Sequence, residues 1–388
     1  MSLSLRAFLD LIRSVAGRAE AGTVRIVCGN EASDFDSVAS VLAYSFFCYL
    51  NNPEDTNPIV PVVNLNREDL KIRKDIVIGL QRVHISEDQL FFLEDLRRWK
   101  QNNTSVEAVL VDHNEVVNEA KSCIDKVIGV IDHHLDAGLY KDVEPRIIKV
   151  CGSCTSLVFK YWYERLSELI ETCGEGVQNV ILLSLGALLL DTANFKQKVE
   201  KIDRDTMAIY ERLMPDIDRT QLFKELKKAK KDISGLSVKQ VLMKDYKQFE
   251  FTCPKAGGSS TVKIGISSLV KCLDKLYDIY DGLDPFRDQC VAFRKERDLD
   301  ALMLMCSWTD DNDIFRRQLV SLPSDNSRDL VAEAIKNVKD QLSLEVATLA
   351  AASTQGKFPD DYTTFEQLNT KASRKQVVPL LKQAFETL

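Results

Sequence analysis

The chain has 388 residues, long for one compact domain and comfortable for two. It is 45% hydrophobic and 28% charged, with a formal net charge of −7, which allows a full buried core and argues against generic adhesion to nucleic acid or acidic membranes. An acidic protein that acts on an anion must therefore gather positive charge locally, through metal ions or clustered Lys and Arg.

The first residues, Met1–Asp10, lack a secretory apolar segment with a cleavage site, so a cytoplasmic location is expected. They read instead as an amphipathic helix with Leu5, Phe8, Leu9 and Ile12 on one face. Short β-branched runs then alternate with helical stretches. Strands are predicted over Thr23–Cys28, Ile59–Asn64, Val106–Val111, Lys126–Ile131 and Arg146–Val150, with helices such as Ser37–Leu50 and Gln89–Lys100 between them. The alternation predicts an α/β fold, a doubly wound and mostly parallel sheet with helices on both faces. Gln178–Leu190 reads as a buried helix ending at Asp191. Its apolar core, Val180–Leu190, is interrupted by Ser184 and Gly186 and is too short to span a membrane. A charged helix over Lys201–Leu213 and a basic stretch, Thr220–Lys231, follow. Asp232–Leu236 reads as a joint, dividing the chain into domains 1–235 and 236–388, the second a smaller α+β unit with strands at Val262–Ile266 and Ala301–Cys306.

In open α/β sheets, ligands gather beyond the carboxyl ends of the strands. Polar residues stand at those positions here: Asn30, Asp34 and Asp36 after the first strand, Asp112-His113-Asn114 after the third, Asp132-His133-His134 after the fourth. Three of the four histidines in the chain lie in the last two segments. Crowded carboxylates repel one another unless divalent cations sit among them, and oxygen ligands with one or two imidazoles suit Mg²⁺ or Mn²⁺. Asp191 fits the same logic, because a carboxylate at a helix C-terminus opposes the dipole unless a cation is near. Taken singly, each Asp is better explained as a helix cap or turn residue, and it is the joint pattern with His133 and His134 that favours metal; Asp36 can serve as a cap beside a metal role. The turn Gly152-Ser153-Cys154-Thr155-Ser156 opens a helix over Leu157–Glu164, and its N–H and hydroxyl groups could hold a phosphate or simply cap the helix. The ten cysteines read mainly as small buried residues, and Cys151-x-x-Cys154 has no companion pair that would make it a metal or redox motif. Gly257-Gly258 has no Lys-Ser or Lys-Thr sequel and is no P-loop.

The order GN-EAS-D-x-D-S, VDHN, IDHH, GSCTS and LLLDT resembles the DHH phosphoesterase superfamily. The later phrases DISGLSVKQVLMKDYKQF, KIGISSLVKCL and SRKQ resemble the C-terminal domain of its second subfamily. That subfamily holds eukaryotic cytosolic exopolyphosphatases, prune-type proteins and family II inorganic pyrophosphatases. The resemblance implies a DHH domain, a DHH-associated substrate-binding domain, and an active site in the cleft between them. It further implies that Asp34 ligates one divalent cation, that Asp36, His133 and Asp191 ligate a second, and that Asp112 bridges the two. His134 contacts the phosphate under attack, Lys247, Arg374 and Lys375 bind phosphoryl oxygens, and His113 orients a ligand. Asn30 and Ser153 are expected to bind substrate as well, and Asp36, Asp112 and His134 to be catalytic. The pyrophosphatases carry His where this chain has Asn30, which favours exopolyphosphatase chemistry and Mg²⁺, with Mn²⁺ or Co²⁺ as alternatives. The expected substrate is inorganic polyphosphate or another short phosphoanhydride, with no nucleic acid, no membrane and no obligate protein partner. An inorganic pyrophosphatase, a prune-like short-chain polyphosphatase or cyclic-nucleotide phosphodiesterase, and a regulatory binding protein on a retired scaffold are the other readings.

Overall fold

A computed structural model of the chain describes residues 3–16, 22–172, 174–254, 260–347 and 362–388. The Gly257-Gly258 turn lies outside the described residues. The chain divides into two compact units, Met1–Asp232 and Ile233–Leu388.

The first unit carries helices α1 (Leu5–Ala16), α2 (Phe35–Asn51), α3 (Lys74–Arg82), α4 (Leu93–Gln101), α5 (Asn118–Cys123), α6 (Cys154–Thr172), α7 (Glu175–Asp191), α8 (Lys201–Leu213) and α9 (Arg219–Lys231). Its strands are β1 (Thr23–Cys28), β2 (Val60–Val62), β3 (Ser105–Val111), β4 (Lys126–Asp132) and β5 (Arg146–Ile148). They form one sheet in the order β2-β1-β3-β4-β5 with every neighbouring pair parallel. The central strands are continuous apolar runs because helices cover both their faces: Val106, Ala108, Val109, Leu110 and Val111 of β3 are all buried. Helix α7 is apolar almost all round and is enclosed by α1, α2, α6, α8 and α9. The chain leaves β1 toward β2 on one side and returns to β3 on the other. The strand order therefore reverses at β1, the kind of switch point beyond whose strand ends ligands gather in open α/β sheets.

The second unit holds a six-stranded sheet in the order β10-β11-β9-β8-β7-β6. Its strands are β6 (Tyr246–Cys253), β7 (Ser260–Leu269), β8 (Ala301–Thr309), β9 (Phe315–Pro323), β10 (Leu344–Val346) and β11 (Thr363–Gln367). All pairs are antiparallel except β7 with β8. The two-residue period of β8 divides two cores. Ala301, Met303 and Met305 pack with α13 (Arg328–Leu342) and α14 (Arg374–Glu386), through residues such as Ile335, Leu381 and Phe385. Leu302, Leu304 and Cys306 pack with α10 (Val238–Met243), α11 (Leu273–Ile279) and α12 (Leu283–Glu296), through Leu242, Leu276 and Phe286.

Candidate metal centre

The loop between β1 and α2 is shaped by local hydrogen bonds. Ser33 N–H donates to the Asn30 side-chain oxygen (3.0 Å), and Asn30 N–H donates to Ser37 Oγ (2.8 Å). Helix α2 is capped by Asp34, which accepts from Ser37 N–H at 3.0 Å. The capping role weighed for Asp36 thus belongs to Asp34, and Asp36 enters the first turn with its side chain turned inward, 2% exposed.

Asp36 lies against the start of α6. Its carboxylate accepts from Cys154 N–H (2.7 Å), Thr155 N–H (2.9 Å) and Ser153 Oγ (2.7 Å), so it sits where the N-terminal N–H groups and dipole of that helix favour negative charge. Of the two readings of the Ser153 turn, phosphate cradle or helix cap, the hydrogen bonds favour the second. Ser153 is fully buried, and its hydroxyl and the next two N–H groups are directed to Asp36, while Gly152 N–H donates to Asp203. The helix N-terminus does hold an anion, but that anion is a side chain of the protein.

Asp112 follows β3 with φ of +62°, a left-handed conformation that Asp tolerates better than most residues. Its Oδ2 accepts from the Asn30 amide at 2.5 Å, and its Oδ1 lies 3.2 Å from His133 Nε2. Asn30, 3% exposed, therefore orients the Asp112 carboxylate. The other His133 nitrogen, Nδ1, meets the Cys151 carbonyl at 3.2 Å. A carbonyl only accepts, so that contact places the proton on Nδ1 and leaves Nε2 as a lone-pair donor facing Asp112 and, at 3.8 Å, Asp36. Asp132 is fully buried and organises the following pair: one oxygen accepts from the N–H of His133 (2.7 Å), the N–H of His134 (3.1 Å) and His134 Nδ1 (2.8 Å). The Asn114 amide donates to its other oxygen at 2.5 Å.

The electrostatics follow from this crowding. Burial first, then the charges of Asp36 and Asp34, push the Asp112 carboxyl up to about 7. Burial and the same two charges push Asp191 well above the usual carboxylate range, with Lys230 and His133 pulling it back in part. Asp191 keeps some accessible surface at the end of α7, but protein surrounds its carboxylate closely enough for desolvation to dominate. Burial also works against ionised Asp132. The hydrogen bond and charge of His134, then the Asn114 amide and the charge of His133, outweigh it and hold that carboxyl well below the usual range.

One ligand-type atom from each of Asp112, His133 and His134 falls within 4.8 Å of the others. With Asp36 beside His133, and Asp34 and Asp191 close enough for their charges to be felt, the sheet edge brings together the carboxylates picked out in the sequence. Two of them resist ionisation while an adjacent imidazole offers a lone pair. This donor set fits divalent cations, which would relieve the repulsion directly.

In the second unit, Arg374 opens α14 and reaches the loop before β6. It donates to the Asp245 carbonyl (2.8 Å) and to Asp245 Oδ1 (2.5 Å), two residues from Lys247. Its guanidinium is engaged by the Asp245 carboxylate. Lys375 follows Arg374 in the first turn of α14, and Lys247 is half-buried on β6. His113 bonds the carbonyl of Val111 on its own strand (3.0 Å). Lys224, Lys227 and Lys228 are exposed on α9.

Three contributors carried no assigned role in the sequence. Arg73, 4% exposed, donates to the carbonyls of Ala32 and Ser33 and braces the loop bearing Asn30 and Asp34. Asn114 accepts from Ala137 N–H (2.8 Å) and donates to the Leu135 carbonyl (3.0 Å), tying down the loop after His134. Asp203 binds Gly152 from α8. Only Asn114 had a signal, its place in the Asp112-His113-Asn114 triplet.

Residues 25–183 match the DHH family N-terminal domain, and residues 224–384 match the DHHA2 domain. A protein of Schizosaccharomyces pombe named as a candidate exopolyphosphatase is 30% identical over 385 residues, covering 96% of this chain and 94% of its own. The chain belongs to the DHH superfamily, in its prune and pyrophosphatase branch. Further relatives match as well. The human protein named exopolyphosphatase PRUNE1 is 30% identical over 94% of this chain and 76% of its own. A Methanocaldococcus jannaschii protein named manganese-dependent inorganic pyrophosphatase is 24% identical over 66% and 78%. The crystal structure of a Methanococcus jannaschii protein, titled as a candidate family II inorganic pyrophosphatase, shares the fold. Its TM-score is 0.58 at 19% identity, over 93% of this chain and 99% of that one. Among the described residues, no helix of this DHH-superfamily chain is long and apolar enough to cross a membrane.

Proposed function

We propose that the chain is a metal-dependent phosphoanhydride hydrolase that releases terminal orthophosphate from inorganic polyphosphate. The observation that carries this reading is the buried set of Asp36, Asp112 and His133, with Asp34 and Asp191 pressing on the same electrostatic field. Asp34 is assigned to one cation, Asp36, His133 and Asp191 to the other, and Asp112 to both, with Mg²⁺ as the working ion and Mn²⁺ or Co²⁺ as substitutes. When bound, such a pair of dications supplies Lewis acidity to phosphoryl oxygens and lowers the pKa of water.

The protein's own groups do the rest. His133 is held by the Cys151 carbonyl in the tautomer whose Nε2 is a ligand atom. Asp132 fixes His134 through Nδ1 and, remaining ionised, stabilises a proton on that ring. The Nε2–H of His134 is then the group offered to a phosphoryl oxygen as negative charge develops there. Asn30 holds Asp112 in place with an amide, which supplies no imidazole ligand and so leaves an oxygen-rich site suited to Mg²⁺. Lys247, Arg374 and Lys375 are the candidates in the second unit for phosphoryl oxygens; for Arg374 this means exchanging Asp245 for substrate. The names of the S. pombe and human relatives support polyphosphate as the substrate, and the M. jannaschii names support a shared anhydride chemistry.

Orthophosphate release from pyrophosphate, tripolyphosphate and long-chain polyphosphate, each with Mg²⁺, Mn²⁺ or Co²⁺, tests the reading. Turnover of tripolyphosphate and long chains well above pyrophosphate is expected. Cleavage of pyrophosphate alone would make the chain a pyrophosphatase, and no release with any of the metals would remove the enzymatic reading.

A further inference from the structure

The turn over residues 151–155 orders two of the proposed metal ligands at once. The Cys151 carbonyl fixes His133 Nδ1 at 3.2 Å, while Ser153 Oγ, Cys154 N–H and Thr155 N–H hold Asp36 at 2.7, 2.7 and 2.9 Å. A shift of the turn therefore moves an imidazole and a carboxylate together. The turn is clasped in its middle by Asp203, which is fully buried. Asp203 Oδ2 accepts from Gly152 N–H at 2.7 Å and from Glu200 N–H at 2.8 Å, joining the turn to the first residues of α8. The fit is close. A Cβ on Gly152 would come within 2.5 Å of Thr192 Cγ2, 2.9 Å of the Lys198 carbonyl and 3.1 Å of Asp203 Oδ2. Thr192 directly follows Asp191, so the clasp presses the turn onto the segment that carries the third ligand assigned to the same cation.

We propose that Asp203 is a positioning residue for one cation of the pair, the one assigned to Asp36, His133 and Asp191. The other cation is governed by different partners, because Asp34 is fixed by Ser37 N–H in the cap of α2 and Asp112 by the Asn30 amide. This inference rests on the two-cation reading above and adds a division of labour within it. Both hydrogen bonds of the clasp end on a single oxygen of Asp203, and its Oδ1 has no hydrogen-bond partner among the described residues. The carbonyl of an asparagine can accept the same two bonds, so geometry, and not the charge of Asp203, is what the clasp supplies.

The test titrates Mn²⁺ into the metal-free full-length chain by calorimetry, with low-temperature electron paramagnetic resonance at two equivalents and circular dichroism as a folding control. The wild type is expected to bind two ions and to give a spin-coupled signal. Asp203→Ala is expected to keep one ion at wild-type affinity and to bind the other about 10–100-fold more weakly, replacing the coupled signal by a mononuclear one. Asp203→Asn should restore the pair. Adding Asp34→Asn to Asp203→Ala should remove the remaining ion, which identifies it. Gly152→Ala loosens the clasp from its other side and should repeat the selective loss, deciding the matter if Asp203→Ala does not fold. Folded Asp203→Ala and Gly152→Ala variants that bind both ions normally, or that weaken both equally, would overturn the clasp. A wild type that binds fewer than two ions would instead overturn the two-cation reading beneath it.

Discussion

Removing the Asp112 charge should stabilise the metal-free protein at high pH and cripple the metal-bound one. The Asp112 carboxyl is pushed to about 7 by burial and by the charges of Asp36 and Asp34, against 3.8 for an unperturbed carboxyl. Its folded-state value is raised, so its contribution favours the fold below about pH 4 and is lost progressively as pH rises toward 7. Forcing it to ionise costs the folded state on the order of 4 kcal/mol by pH 8. Asp112→Asn abolishes that cost while keeping a residue that tolerates φ of +62°. Part of the gain is offset if the new amide turns its nitrogen toward the Asn30 donor, a conflict worth roughly 1–3 kcal/mol. A net stabilisation of about 1–3 kcal/mol is expected at pH 8 in the presence of a chelator, and almost none at pH 4. Urea unfolding of wild type and variant at both pH values measures it, followed by a probe in the first unit because a two-unit chain need not unfold in one step. With Mn²⁺ in place of chelator the order should reverse, since ligand binding to the native state stabilises only the chain that can bind. A variant less stable than wild type at pH 8 without metal, or a gap that does not depend on pH, would refute the electrostatic account.

Apparent metal affinity should rise with pH by about tenfold per unit or more below pH 7, as bound ions displace the Asp112 proton and the proton held by the raised Asp191 carboxyl; a calorimetric pH series gives the slope, and an affinity that does not change with pH would refute it. Asp132→Asn leaves His134 without its charged partner and should lower kcat by about 10²–10⁴ with little change in KM, read from steady-state phosphate release. Reversing the charges of exposed Lys224, Lys227 and Lys228 to Glu should raise KM for long-chain polyphosphate more than for tripolyphosphate; equal effects would deny α9 a place along the chain of substrate. Arg73→Met, which leaves the Ala32 and Ser33 carbonyls without their buried donor, should cost about 2–4 kcal/mol of stability and weaken metal binding.

The parallel sheet and the edge that carries the site were legible because each depends on local signals. Apolar strands are followed by Asp34 and Asp36, by Asp112, and by His133 and His134, and the rule that ligands gather at strand carboxyl ends does the rest. What was not legible depends on partners far along the chain. The Ser153 turn resembles an anion cradle in isolation, and nothing within it reveals that Asp36, 117 residues earlier, occupies its donors. Asp203 reads as one acid in a charged helix, although it reaches 51 residues back to Gly152. Arg73 sits in a run of charged residues and is buried only because the fold carries the loop of Ala32 onto it. In the second unit, strands β6 and β9 mix charged and apolar residues, and β10 and β11 have 3 and 5 residues. Their pairing order rests on long-range register rather than on periodicity.

The claim on which the rest depends is that Asp34, Asp36, Asp112, His133 and Asp191 enclose two ions. Anomalous diffraction from crystals grown with Mn²⁺ addresses it directly. Two peaks roughly 3.5–4 Å apart, with Asp112 between them and His133 on one only, is the expected result. A single peak, or manganese bound away from these side chains, would contradict the account.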